Sequence, residues 1–252
     1  MLNFGALITN EWIKLYKKKS FFVYLAVMAV FVGIIAYAAY RGWMSGTDSA
    51  LGFVESIVSM SAAGQILPMV VIIAIANIVP QEFRMGTIKF LLIRAQSRNK
   101  ILASKYVVAL LFSFFLIAAT WLMCLIAGLA LYGFGGGGDM WPQIGENVLY
   151  LTIYTFAFVS LTFMLGVLTR SSGATVGIAM FSVMVGGLFT LLLTRYSFIK
   201  FVLFPNVDLS VYDGGGSMPH GMTLGFSATV IGAYVLLFLI ASFVTFRKRD
   251  VS

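Results

Sequence analysis

The side chains that could carry acid–base, nucleophilic or metal chemistry are few and far apart in this sequence. His220 is the single histidine and Cys124 the single cysteine, and no HExxH motif is present. The glycine runs Gly135–Gly138 and Gly214–Gly216 are not followed by the Lys-Ser/Thr pair of a phosphate-binding loop. We therefore expect no metal site, no catalytic triad and no nucleotide site of its own, and we do not predict an enzyme.

The composition is typical of a membrane protein rather than of a soluble one. Hydrophobic residues make up 60% of the 252 residues and charged residues only 10%, whereas soluble domains carry roughly 25% charged residues. Long uncharged runs of about 20 residues are typical of membrane-spanning helices. The net charge of +8 is better explained by the positive-inside rule than by nucleic-acid binding.

Six apolar runs predict an all-α integral membrane fold with six transmembrane helices in a single domain. The runs are continuous rather than alternating, which disfavours a barrel. The predicted spans are residues 21–40, 57–79, 106–132, 148–168, 174–194 and 224–246.

Charge predicts the orientation of these spans. If both termini are cytoplasmic, all of the 17 Lys and Arg residues except Arg41, Arg195 and Lys200 lie inside, as the positive-inside rule requires. The chain is then a multi-pass protein with a basic cytoplasmic loop at residues 81–105. The longest external loop covers residues 195–223, and part of it is expected to be re-entrant or interfacial.

Residues 1–20 precede the first span and predict an interfacial helix. Apolar side chains recur at helical spacing, and Trp12 suits the headgroup zone. Glu11 falls near the centre of that apolar face. Either Glu11 pairs locally with Lys14, three residues on, or it faces the helix bundle or a partner subunit.

Uncharged polar residues inside the spans allow two interpretations. They form hydrogen bonds between helices, or they form a weakly polar wall facing an amphipathic substrate. The candidates for such a pathway are Gln65, Asn77, Thr152 and Thr155. Pro68 is expected to kink the second span because it removes a backbone donor.

The basic loop has an internal feature that charge alone does not explain. The stretch "QEFRMGTIKFLLIRAQSRNKILASKY" carries six positive side chains and one negative one, Glu82, yet it contains the apolar segment "IKFLLI". Such a segment would not stay exposed to water. A short helix that buries these residues against another protein accounts for both properties.

This loop resembles that of ABC-2 type transporter permeases, whose pattern is roughly E-x-x-x-G-T-[IL]-x-x-L-L-x-x-P-x-S-R-x-x-[IL]-x-x-S-K. Ala95 departs from it, since many members have proline there. "NEWIKLYKKKSF" also resembles the family's segment before the first span, and "FPNVDLS" and "FRKRDVS" resemble its last external loop and its terminus. The matching loop residues are Glu82, Gly86, Thr87, Ile88, Leu91, Leu92, Ser97, Arg98, Ile101, Ser104 and Lys105.

The resemblance implies a permease subunit of an ATP-driven exporter in a bacterial cytoplasmic membrane. A separate cytoplasmic ATPase would bind ATP and Mg²⁺, and this chain would bind no cofactor. A coupling helix in the loop would dock into the ATPase, and the N-terminal segment, with Glu11, Trp12 and Lys14, would form an elbow helix. The residues expected to contact the ATPase are Glu82, Arg84, Gly86, Thr87, Ile88, Phe90 and Leu91.

The resemblance also implies a pair of permeases, identical or paralogous, with the route between them. The short loop at residues 169–172 is a candidate for a second contact with the ATPase. Our hypothesis for the substrate is an amphipathic peptide, antimicrobial or toxin-like. The alternatives are a membrane protein that binds a toxin for immunity or sensing without transporting it, and an intramembrane enzyme, which the scarcity of ionisable residues in the spans disfavours.

Overall fold

The structure is a computed structural model that describes residues 4–44, 47–59, 65–85, 97–133, 140–215 and 218–248. Within these ranges the chain is helical almost throughout and contains no β-strand. Segments of 3-10 helix cover Ser197–Phe201, Leu209–Gly215 and Pro219–Gly221. The α-helices are α1 (Phe4–Tyr16), α2 (Lys19–Tyr40), α3 (Ala50–Val58), α4 (Ile66–Ile75), α5 (Pro80–Arg84), α6 (Arg98–Tyr132), α7 (Trp141–Thr169), α8 (Ser172–Leu193), α9 (Leu203–Val207) and α10 (Leu224–Lys248).

Six stretches among the described residues are long and apolar enough to cross a membrane. They are α2, the combined stretch Ile66–Arg84, α6, α7, α8 and α10. The predicted all-helical class with six apolar spans is confirmed at this level. Helices α2, α8 and α10 cover nearly the residues read from the sequence, whereas α6 and α7 begin earlier than the apolar runs at residues 106 and 148.

Helix α7 lies at the centre of the bundle. It packs against α3, α4, α6, α8 and α10, and it is the most buried of the six spans. Helices α2, α8 and α10 lie outside and expose most of their apolar side chains. This distribution is inverted relative to a soluble protein and fits helices whose outer faces meet lipid.

The bundle has two chemically different ends. One end, which we call the basic end, carries Lys18, Glu82, Arg98, Arg170 and Arg247. Contacts join the loops there, for example the cation–π contact between Arg170 and Phe83 and the hydrogen bond from the Arg98 guanidinium to the Arg247 carbonyl oxygen at 3.4 Å. The opposite end, where α2 ends at Tyr40 and α6 ends at Tyr132, we call the glycine-rich end.

The predicted second span, residues 57–79, is not one continuous helix. Helix α3 is a separate buried helix, and α4 begins only at Ile66. Pro68 lies in the first turn of α4, where backbone N–H groups have no partner within the helix. The expected mid-span kink at Pro68 was therefore wrong, because this proline lies in the first turn of a new helix.

The polar residues of the spans mostly bond to their own helices. The hydroxyls of Thr152 and Thr155 donate to the carbonyl oxygens of Val148 and Leu151, both at 2.7 Å. Thr120 and Thr162 bond in the same i−4 manner. The expected bonding between helices is seen at Ser160, whose hydroxyl lies 2.8 Å from that of Tyr106. Threonine can satisfy its hydroxyl locally in a helix, so these positions need no partner helix.

The segment between α8 and α10 folds into short helices at the glycine-rich end. Its anchor is Asn206, which is fully buried. The Asn206 amide donates to the carbonyl oxygens of Lys200 at 2.8 Å and Val202 at 2.7 Å. The Ser227 hydroxyl on α10 donates to the Asn206 side-chain oxygen at 2.7 Å. One side chain therefore fixes the turn before α9 and ties it to the last span.

Replacing Asn206 with Ala should loosen this segment. Two part-buried carbonyl oxygens and one buried hydroxyl would lose a partner, and leaving buried groups unsatisfied costs about 1–3 kcal/mol. We expect about 2 kcal/mol lower stability in detergent and faster proteolysis within residues 195–223. Thr229→Val is the control, because the hydroxyl of the exposed Thr229 donates to the Gly225 carbonyl oxygen of its own helix. Equal protease resistance of the wild type and Asn206→Ala would contradict the anchoring role.

Candidate functional site at the basic end

Four charged side chains from three helices form one ionic cluster at the basic end. Lys105 Nζ lies 2.6 Å from Glu11 Oε2 and 3.0 Å from Glu82 Oε1. Lys14 Nζ lies 2.7 Å from Glu11 Oε1 and 3.4 Å from Glu82 Oε1. Each lysine therefore bridges both carboxylates. We call Glu11, Lys14, Glu82 and Lys105 the ionic cluster.

Local sequence places each member of the ionic cluster. Ser97 caps the start of helix α6, and its hydroxyl accepts a hydrogen bond from the Lys100 backbone N–H. This start puts Lys105 about two turns into the helix. Pro80 is the first residue of α5, where its missing N–H costs nothing, and Glu82 follows in the first turn. On α1, Glu11 and Lys14 share a face because they are three residues apart.

The cluster is shielded from solvent. The side chains of Lys105, Glu11 and Glu82 are 5%, 11% and 13% exposed, whereas that of Lys14 is 41% exposed. Burial lowers the pKa of Lys14, but the hydrogen bond and charge of Glu11, with the charge of Glu82, outweigh it and raise that pKa above its usual value. A buried charge that loses its partner is strongly destabilising, so the three helices are held at fixed positions relative to one another.

Glu11 therefore satisfies both interpretations drawn from the sequence. One carboxylate oxygen pairs with Lys14 on the same helix, and the other faces the bundle and pairs with Lys105. Trp12, its neighbour, packs edge-on against Phe115 of α6 with ring centroids 6.1 Å apart. Helix α1 thus lies against α6 through both an ion pair and an aromatic contact.

A second group of contacts brings the loop at residues 169–172 to the same place. The Arg170 guanidinium lies 4.4 Å from the centre of the Phe83 ring. Phe83 in turn packs edge-on against Phe246 of α10. Arg170 has a left-handed backbone conformation with φ of 54° at the end of α7. Its Nε is buried and has no hydrogen-bond partner among the described residues.

The predicted coupling residues are described only in part. Glu82 belongs to the ionic cluster, and Arg84 is exposed at the end of α5. Five further residues predicted to contact the ATPase lie outside the described part of the chain: Gly86, Thr87, Ile88, Phe90 and Leu91. The described part nevertheless places both flanks of that segment, α5 and α6, in contact through Glu82 and Lys105.

The four candidate pathway residues are not brought together. Gln65 lines a cavity of about 260 Å³ toward the glycine-rich end, together with Tyr154, Thr190 and Asp208. Asn77 lines a different cavity, at the basic end. Thr152 and Thr155 bond within α7.

Lys105 is the functional candidate that sequence reasoning missed. It matched the loop pattern of the resembling family as one of six positive residues in that stretch, but it was assigned no role. The position of Lys105 in the sequence could have indicated its role. Lys105 adjoins the apolar run beginning at Tyr106, and a lysine at such a boundary needs either solvent or a carboxylate.

The described residues contain no group of three or more His, Cys, Asp or Glu side chains that could hold a metal ion. The arrangement at the basic end joins three helices. Lys14 and Lys105 each contact both carboxylates, so α1, α5 and α6 are linked through one group of ion pairs.

Comparison with known proteins identifies the family of this chain. The family model described as "Protein of unknown function (DUF2705)" matches residues 15–252. The chain belongs to the DUF2705 family. The match begins within α1 and includes Glu82 and Lys105, whereas Glu11 and Lys14 precede it.

Two relatives of this DUF2705 chain come from Bacillus subtilis (strain 168). The chain is 30% identical over 247 residues to "Uncharacterized membrane protein YdbK", a match covering 94% of this chain and 99% of that protein. It is 33% identical over 198 residues to "Uncharacterized protein YhcI". That second match covers 72% of this chain and 63% of the relative's length. The six apolar helices and the relative named as a membrane protein make this DUF2705 chain a multi-pass membrane protein.

Proposed function

We propose that this chain is the permease subunit of an ATP-driven exporter of the ABC-2 type. The observation that carries the proposal is the ionic cluster, which fastens both flanks of the basic segment to the N-terminal helix. Glu82 precedes that segment, Lys105 follows it, and the two side chains lie 3.0 Å apart. An exporter of this kind needs a cytoplasmic segment whose movement is passed on to the spans.

The ionic cluster suits such transmission because it is stiff. Glu11 joins α1 to α6 at 2.6 Å, and the buried pair resists separation because an isolated buried charge is costly. A push on the segment between α5 and α6 would therefore move α1, α5 and α6 together. The contact of Arg170 with Phe83 would add α7 to the same unit.

In this proposal the ATPase is a separate cytoplasmic subunit that binds ATP and Mg²⁺, and this chain binds neither. Gly86, Thr87, Ile88, Phe90 and Leu91 form the docking surface, and Glu82 anchors that surface to the bundle. The termini and the basic end are cytoplasmic, in line with the positive-inside rule. The second permease is another copy or a paralogue.

The proposed substrate is an amphipathic peptide that is moved outward. The spans carry hydroxyl and aromatic side chains but almost no ionisable ones, which suits a substrate that presents both apolar and polar groups. The cavity that contains Gln65, Tyr154 and Asp208 offers such a mixed surface. At about 260 Å³ it would hold only part of a peptide, because ligand pockets for drug-sized molecules measure roughly 300–1,000 Å³.

The test is mild extraction of the tagged full-length protein from its native membrane, followed by measurement of ATP hydrolysis. We expect a stoichiometric ATPase to copurify, and the double variant Ile88→Asp/Leu91→Asp to lose it. Burying two carboxylates at an apolar interface would cost several kcal/mol. Thr9→Asp/Asn10→Asp is the matched control, because it adds the same two charges at exposed positions of α1.

A protein that purifies without any ATPase in several mild detergents would refute the exporter function. If the double variant still copurifies with the ATPase, the docking surface does not depend on Ile88 and Leu91. The alternative of toxin binding for immunity or sensing makes a distinct prediction. Protection of cells would then persist when the partner ATPase carries a substitution that abolishes ATP hydrolysis.

A further inference from the structure

A cavity of about 260 Å³ opens at the basic end and is separate from the ionic cluster. It lies between the end of α1, the start of α2 and the end of the second span. Its lining includes Leu15 of α1, Phe21 of α2, Gln81 of α5 and Phe112 of α6. It therefore sits where the N-terminal helix turns into the first span, at the boundary between the apolar bundle and its basic end.

The polar part of this cavity is positively charged. Lys18 and Arg84 both line it, and the described lining contains no carboxylate. Neither cation forms an ion pair within the described part of the chain. Lys18 Nζ instead donates to the neutral Gln81 side-chain oxygen at 2.5 Å. The Ser20 hydroxyl and the Asn77 amide add uncharged donors to the same lining.

The neighbouring ionic cluster does not neutralise these two cations. Glu11 and Glu82 are already shared between Lys14 and Lys105. Burial and the positive charge of Lys105 lower the pKa of Lys18, and the charges of Glu82 and Glu11 act in the opposite direction but do not offset them. Burial is the largest of these causes, so Lys18 is a half-buried cation whose charged form a bound anion would stabilise.

The rest of the lining is apolar and extends away from the basic end. Phe21 and Phe112 are buried and have ring centroids 5.7 Å apart. Phe112 is seven residues further along α6 than Lys105, or roughly 10 Å deeper into the bundle. A ligand that fits this shape carries an anionic head beside Lys18 and Arg84 and an apolar tail that runs along the wall toward the middle of the spans.

We propose that this cavity binds the phosphate group of an anionic phospholipid. Arg and Lys make charge-assisted hydrogen bonds to phosphate, and basic pockets between spans are typical lipid headgroup sites. Phosphatidylglycerol carries the required charge and acyl chains. The site would fix the turn between α1 and α2, and it assigns Arg84 to a lipid rather than to the ATPase. The proposal does not depend on the transport function.

The experiment is a titration of delipidated, purified full-length protein with dioleoyl phosphatidylglycerol, followed by native mass spectrometry. We expect the first lipid to bind about thirtyfold more weakly to Lys18→Gln/Arg84→Gln, since each basic residue contributes roughly fivefold to the attraction of an anionic lipid. The matched control is Lys17→Gln/Lys19→Gln, which removes the same charge from two exposed residues beside the cavity. It should bind like the wild type.

Further measurements test whether charge is what the site recognises and whether its ligand is a lipid or free phosphate. Lys18→Arg/Arg84→Lys keeps both charges and should restore binding, which also shows that weak binding is not misfolding. Competition by millimolar inorganic phosphate would support the anion site but identify free phosphate as its ligand. Equal affinity for dioleoyl phosphatidylcholine, or an equal loss in the Lys17/Lys19 control, would overturn the proposal.

Discussion

Replacing Lys105 with Met should lower the free energy of unfolding by about 3 kcal/mol, the lower end of the cost of breaking a buried ion pair. The methionine fills similar space but leaves Glu11 and Glu82 with Lys14 as their remaining partner in the ionic cluster. Lys14 is 41% exposed and cannot compensate for the loss of a cation that is 5% exposed.

The chain supplies its own readout for this experiment. Cys124 is the single cysteine and is fully buried between the spans. A maleimide dye will therefore label it only when the bundle opens. Labelling during a temperature ramp in detergent should begin at a clearly lower temperature for Lys105→Met than for the wild type.

Two companion variants distinguish lost pairing from lost packing. Lys100→Met makes the same change at an exposed position of α6 and should behave like the wild type. Glu11→Gln/Glu82→Gln/Lys105→Met removes the uncompensated carboxylates and should be more stable than Lys105→Met alone. If the triple variant is instead less stable than the single one, the ionic cluster does not act through charge pairing.

The spans were predictable from the sequence because their signal is local. An apolar run of about 20 residues has few alternatives to a membrane-spanning helix, and α2, α8 and α10 match such runs closely. The starts of α6 and α7 were not predictable in the same way. Both helices start in polar sequence before the apolar run. There the first residue of a helix is set by capping, as with Ser97, and by contacts with other elements.

The site was predictable only in part, for a related reason. The sequence showed that Glu11 was out of place on an apolar face, and it singled out Glu82. It could not show that Lys105 would meet both carboxylates, because those contacts join residues 94 and 23 apart in the chain. The break in the predicted second span could not be predicted either. Residues 57–79 form one apolar run in the sequence, whereas α3 is a separate helix that packs against α6.

Replacing Gly128 with Val should have the second large effect, about 3 kcal/mol of lost stability. A Cβ atom at Gly128 would lie 2.7 Å from the backbone oxygen of Ala50, a distance that side-chain rotation cannot relieve. Helix α3 would have to move away from α6, and forced overpacking of this kind typically costs 1–3 kcal/mol. The upper end applies because the obstacle is backbone at the first residue of α3.

The measurement combines circular dichroism with dye labelling. Thermal loss of helical signal reports the whole bundle, while labelling of Cys124, one turn from Gly128 on α6, reports local separation of α3. Gly177→Val is the control, because among the described residues no atom beyond its own stretch of helix lies within 4 Å of a Cβ atom there. If Gly128→Val melts like Gly177→Val and leaves Cys124 protected, then α3 does not pack against α6 at this point. The divided second span would then need a different anchor.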